Sequence, residues 1–117
     1  MSDLTLYHNP RCSKSRAALE LLHTRNLPFT VVHYLDTPPS ADTLRDLLGR
    51  LGITARGLLR TGEDAYTALN LAAPHHSEQA LIDAMVSHPV LIERPILVRG
   101  DRAAIGRPLD NLLELLS

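Results

Sequence analysis

The 117-residue chain has one cysteine, no tryptophan, three tyrosines and one phenylalanine, and its formal net charge is -1 at pH 7. Each scarcity excludes something. A lone cysteine, Cys12, closes no internal disulfide and supplies too few soft ligands for a structural metal site, and the histidines do not fall at finger-like spacings, so no metal is expected. With 3% aromatic residues and no basic tail, a nucleic-acid face built from cations and stacking rings has no support. No run approaches the roughly 18 apolar residues of a membrane span, so no membrane insertion is expected. Met1-Ser2-Asp3-Leu4 lacks a basic segment leading into an apolar stretch; a reducing cytoplasm is therefore the expected compartment.

What is present suits a folded core. The hydrophobic fraction is 44%, enough for a domain of this length without disulfides or metals, and only short punctuation separates the periodic stretches. The pattern predicts a single domain over 1–117. Leu4-Thr5-Leu6-Tyr7 reads as a strand and 13–25 as a helix stopped by Asn26 and Pro28. The β-branched and aromatic run 29–34 reads as a second strand, parallel to the first. A helical insertion over about 40–88 follows. Ser40 caps a helix with Leu44, Leu47, Leu48 and Leu51 on one face ending at Gly52, short helical pieces lie at 55–59 and 66–69, and another helix runs from Ser77 to Pro89 with Leu81, Ala84 and Met85 inward. His75-His76 reads as loop or helix start. Residues 96–98 and 103–105 flank Gly100-Asp101 as a hairpin, and a last helix follows Pro108, placed at its first position, with Leu109, Leu112, Leu113 and Leu116 inward. The fold class is α/β, with a βαβ unit, the helical insertion, then ββα on a mixed sheet.

Cys12 stands where the first strand turns into the first helix. Unpaired N–H groups and the positive end of the helix dipole favour an anionic sulfur there, and Arg11, Lys14 and Arg16 push the same way. An inert cysteine would instead sit inside an apolar periodic stretch.

A cysteine at the first strand-to-helix turn and a proline opening the third strand make the thioredoxin-like arrangement. The motifs go further: Tyr7-His8-Asn9-Pro10 before Cys12, Leu58-Leu59-Arg60, His88-Pro89 followed by Arg94-Pro95-Ile96, and Gly106-Arg107-Pro108. On these the sequence resembles the glutaredoxin-dependent arsenate reductase (ArsC-type) family over essentially its whole length. Its loop, His8-Asn9-Pro10-Arg11-Cys12-Ser13-Lys14-Ser15-Arg16, is that of a subgroup with bulkier residues after the cysteine. The resemblance implies that Cys12 is the nucleophile and that Arg60, Arg94 and Arg107 bind the oxyanion. It also implies that His8 helps keep the sulfur ionised and that Arg94-Pro95 matches the fold's cis-proline.

The implied reaction is conversion of arsenate to arsenite through a covalent Cys12 thio-arsenate adduct. Guanidinium groups suit it, being planar, permanently charged and able to hold a tetrahedral anion bidentately. Because the chain has no second cysteine, an external thiol must resolve the adduct. The family implies glutathione as co-substrate and a glutaredoxin as partner, with no tightly bound cofactor, and a monomer is expected. Other classes fit the fold: a Spx-type regulator binding RNA polymerase, whose C-x-x-C switch is interrupted here by Ser15, or a monothiol glutaredoxin-like thiol transferase. A phosphatase-like reductase would need C-x5-R, but position 18 is Ala18.

Overall fold

Leu4 and Leu6 alternate with the half-buried Thr5 and Tyr7, the period-two pattern of a strand covered on one face, and they form β1, Leu4–Tyr7. The structure, a computed structural model, describes residues 3–117. The backbone divides into two compact units, one holding the residues up to Thr37 together with Arg94–Ser117, the other Pro38–Glu93.

The first unit carries a four-stranded mixed sheet in the order β2-β1-β3-β4, with β2 at Thr30–Val32, β3 at Ile96–Arg99 and β4 at Arg102–Ile105. β1 runs parallel to β2 (Leu6 opposite Val31) and antiparallel to β3 (Leu6 opposite Leu97), and β3 turns back on β4 through Gly100 at φ 59°. Helix α1, Ser13–Thr24, crosses from β1 to β2. It ends in a Schellman motif: Asn26 takes the left-handed conformation at φ 55°, and the N–H groups of Asn26 and Leu27 donate to the carbonyls of His23 and Leu22 at 3.0 and 3.3 Å.

Ala18 and Leu22 of α1 pack with Leu4, Leu6 and Leu97 of the sheet and with Leu112 and Leu115 of the last helix, Asp110–Leu116. That helix differs from the sequence expectation. It begins at Asp110 rather than at Pro108, because the Pro108 carbonyl closes a turn with the Asn111 N–H at 3.1 Å and Asn111 Nδ2 reaches back to the Ile105 carbonyl at 3.0 Å. The buried positions become Leu112 and Leu115, with Leu109, Leu113 and Leu116 half-buried. The second strand is also shorter than 29–34.

The inserted unit holds α2 (Ala41–Leu51), α3 (Ala55–Leu58), α4 (Asp64–Ala68) and α5 (Glu78–Ser87), which makes the Asp110–Leu116 helix α6. Ser40 and Ser77 cap α2 and α5 by accepting the N–H of Thr43 and Ala80, each at 3.1 Å, and Gly52 closes α2 in the left-handed conformation. α5 contacts α2 and α3 and lends the Glu78 carboxylate to the Ala55 N–H at 2.8 Å, capping α3 from outside. Its buried side chains are Leu81, Ile82 and Met85, with Ala84 only half-buried. The unit extends past the expected 88 because a short 3-10 turn, Pro89–Leu91, leads into an antiparallel bridge between Leu59 and Ile92. No helix of the described residues is long and apolar enough to cross a membrane.

Candidate active site

Cys12 is the N-cap of α1, in extended conformation at φ -98°, ψ 123°. Local hydrogen bonds shape its turn. The Cys12 N–H donates to the Asn9 carbonyl at 3.1 Å, and the Arg11 N–H to Asn9 Oδ1 at 3.0 Å, an Asx turn. The Arg16 N–H opens the helix on the Cys12 carbonyl at 2.9 Å. Arg16 also ties its guanidinium to the Pro10 carbonyl at 2.9 Å, so this cation braces the turn.

The cysteine is 7% exposed. Burial by itself pushes its thiol pKa up; the N–H of Ser15, the Arg94 charge, the N–H of Lys14 and the Arg107 charge outweigh it, and the thiol lies below its ordinary value. Arg107 Nη2 donates to Cys12 Sγ at 3.4 Å, while its Nε donates to the Arg94 carbonyl at 2.8 Å. One side chain thus bridges the backbone before β3 and the sulfur. Both arginines precede cis-prolines, Pro95 and Pro108.

His8 leaves β1 with its N–H on the Val32 carbonyl at 3.0 Å and its side chain buried. The structure directs its Nδ1 to Ser15 Oγ at 2.7 Å. Burial and the neighbouring His33 and Arg16 lower the His8 pKa against the opposing effect of Ser15, so the ring is neutral at neutral pH. Ser15 Oγ also accepts the Asn9 N–H at 2.9 Å. In the sequence Ser15 is legible only as the place of a missing second cysteine. The available signal was its spacing: Ser15, Ala18 and Leu22 form the buried i, i+3, i+7 stripe of α1, and a hydroxyl on such a stripe requires partners.

Arg60 belongs to the inserted unit. Its N–H pairs with the Leu91 carbonyl at 2.8 Å beside the Leu59–Ile92 bridge, and its guanidinium forms an ion pair with Glu63 and a longer one, 3.9 Å, with Glu93. Neither carboxylate lies within the motifs legible in the sequence. Cys12, His8, Arg94 and Arg107 all lie in the sheet-bearing unit.

A thiolate at a helix N-terminus with Arg107 in contact and Arg94 adjacent can attract an oxyanion, attack it and stabilise charge on its oxygens. Comparison with known proteins agrees with that chemistry. The family model described as the ArsC family matches residues 7–115. A protein called arsenate reductase from Neisseria meningitidis serogroup A is 47% identical over 117 residues, covering 99% of this chain and 100% of that protein. The Escherichia coli K12 protein called uncharacterized protein YfgD is 54% identical over 112 residues, covering 95% of this chain and 94% of that one. The solved structure of an arsenate reductase from Vibrio cholerae superposes with a TM-score of 0.92 at 44% identity, covering 95% of each chain. By its motifs, its thioredoxin-like fold and these full-length matches, the chain belongs to the ArsC family.

Proposed function

We propose that this protein reduces arsenate to arsenite with Cys12 as nucleophile and glutathione with glutaredoxin as electron source. The observation that carries the reading is the Arg107 guanidinium on the sulfur of a pKa-lowered cysteine; two of the relatives above are called arsenate reductase.

In the first step the Cys12 thiolate attacks arsenic, a sulfur–arsenic bond forms, and one arsenic–oxygen bond breaks as a hydroxyl takes a proton from solvent and leaves as water, with arsenic still As(V). Arg94 and Arg107 stabilise the oxygens of the adduct. A glutathione thiol then reacts: the sulfur–arsenic bond breaks, Cys12 and glutathione become a mixed disulfide, and arsenic takes the two electrons and departs as arsenite. A glutaredoxin thiol returns Cys12 to its reduced form. Arg60 is assigned to oxyanion binding by the family resemblance, and His8 to holding the cysteine turn through Ser15. The thiol chemistry suits a reducing cytoplasm.

Arsenite measured in mixtures of arsenate, glutathione, glutaredoxin and protein tests the reading. Turnover is expected with the wild type and none with Cys12→Ser. Equal arsenite from the serine variant overturns it. Wild type that turns over glutathione mixed disulfides but not arsenate shows a thiol transferase, and inactive protein that co-purifies with RNA polymerase shows a regulator.

A further inference from the structure

A hollow of about 280 Å³ lies beside the cysteine turn, lined by His8, Asn9, Pro10 and Arg11 on one side and His33, Leu35 and Asp36 on the other. Its two walls are the turns that follow β1 and β2. Because those strands are parallel, both turns leave the same, carboxyl edge of the sheet, where open sheets of this class take their ligands. The wall after β2 is held by its own backbone, the N–H groups of Asp36 and Thr37 both donating to the His33 carbonyl at 3.0 and 2.9 Å.

The charges on this lining are unusual. Arg11 and Asp36 are both exposed, and neither side chain makes an ion pair with the other or with any of the described residues. A cation and an anion left apart on one small hollow complement a ligand that carries both charges close together. Within glutathione, only the γ-glutamyl end does so, presenting an α-carboxylate and an α-ammonium on one carbon; the glycine end has a carboxylate alone. The volume lies just below the ~300 Å³ at which drug-sized pockets begin, which suits one end of a tripeptide rather than the whole of it.

Resting on the arsenate-reduction reading above, we propose that this hollow is the subsite for the amino-acid head of glutathione. Arg11 holds the α-carboxylate bidentately, Asp36 takes the α-ammonium, and Pro10 and Leu35 contact the methylenes of the γ-glutamyl side chain. Arg11 directly precedes Cys12, their Cα atoms about 3.8 Å apart, and glutathione extends over roughly 10 Å, so its thiol reaches the arsenic on Cys12 from this anchor. The subsite gives the protein a preference for γ-glutamyl thiols over thiols without that head group.

S-methylglutathione, which cannot react, separates this proposal from the reading it rests on. Titrated into isotope-labelled protein, it is expected to shift the amide resonances of Asn9, Arg11 and Asp36. γ-Glutamylcysteine should compete and cysteinylglycine should not, while Asp36→Asn and Arg11→Gln should each weaken binding about fivefold, the worth of one exposed ion pair. Asp36→Glu should restore part of the affinity. In arsenate turnover, the ratio of kcat/KM for glutathione over that for dithiothreitol should fall by a similar factor in both variants. Absent shifts at these residues, equal binding of cysteinylglycine, or unchanged affinity in both variants overturns the subsite. Wild type that binds S-methylglutathione as described but reduces no arsenate with any thiol overturns the reaction and leaves the subsite standing.

Discussion

Arg107 places Nη2 3.4 Å from Cys12 Sγ while its Nε is held by the Arg94 carbonyl at 2.8 Å. The cation nearest the sulfur is therefore aimed by the backbone of the other arginine, and two ends of one planar group do two jobs. A lysine has no second, fixed donor with which to do the same.

Loss of this fork should cost catalysis more than folding. Arg107→Ala is expected to lower kcat for arsenate by about 100-fold or more, the usual consequence of removing one oxyanion donor, and Arg107→Lys to recover only part of it. Arg94→Ala and Arg107→Ala should both raise the Cys12 pKa, because each charge lowers it in the wild type. Steady-state kinetics with thiol absorbance titrations checks both.

Ser15 connects His8 to the turn by accepting the Asn9 N–H while bonded to His8 Nδ1. Ser15→Ala leaves the buried His8 Nδ1 and the part-buried Asn9 N–H without their partner, which should cost about 1–3 kcal/mol of stability. Urea unfolding measures it. A double-mutant cycle with His8→Asn should show strong coupling, and independent, additive effects would contradict the pairing.

Much of this was readable from residue patterns, and the exceptions share a cause. The βαβ start follows from apolar alternation and a long amphipathic helix, and the hairpin from a Gly-Asp pair between apolar runs, all local signals. Cys12, Arg94 and Arg107 could be named from motifs, but their mutual geometry depends on residues some 95 positions apart in sequence. The role of Ser15 is not legible in the sequence because its partners, His8 and the Asn9 N–H, come to it only when the turn folds back on the helix. The start of α6 departs from the sequence expectation for a similar reason: Asn111 directs its side chain to the Ile105 carbonyl, a contact with no periodic signature.

Acid should weaken the fold through His8. Its folded pKa lies below the ordinary 6.5, chiefly from burial and then from His33, so between the two values the unfolded chain binds the proton and the native chain does not. The neutral ring's contribution is complete above pH 6.5 and is lost as pH falls through the folded value. Urea midpoints measured from pH 7.5 down to pH 5 should decline in the wild type and decline less steeply in His8→Asn. Identical slopes would contradict this.

Gly106 allows the arginine-bearing segments to approach. A Cβ at this position would stand 2.8 Å from Pro95 Cγ and 3.0 Å from Leu112 Cδ1, both in fully buried side chains. Gly106→Ala should therefore destabilise by about 1–3 kcal/mol and lower activity as well, since Pro95 and Gly106 adjoin Arg94 and Arg107. Denaturant midpoints and arsenate turnover on the same preparation check the two effects together.

The ionisation of Cys12 is tested most directly by its alkylation rate with iodoacetamide as a function of pH. The thiolate is the reactive form, and the amides of Ser15 and Lys14 with the two arginines hold its pKa down despite burial, so the rate should rise through a midpoint below that of an unperturbed cysteine in a model peptide measured alongside. A midpoint at or above that value would mean that this cysteine is an ordinary buried thiol, and the proposed attack on arsenate would lose its nucleophile.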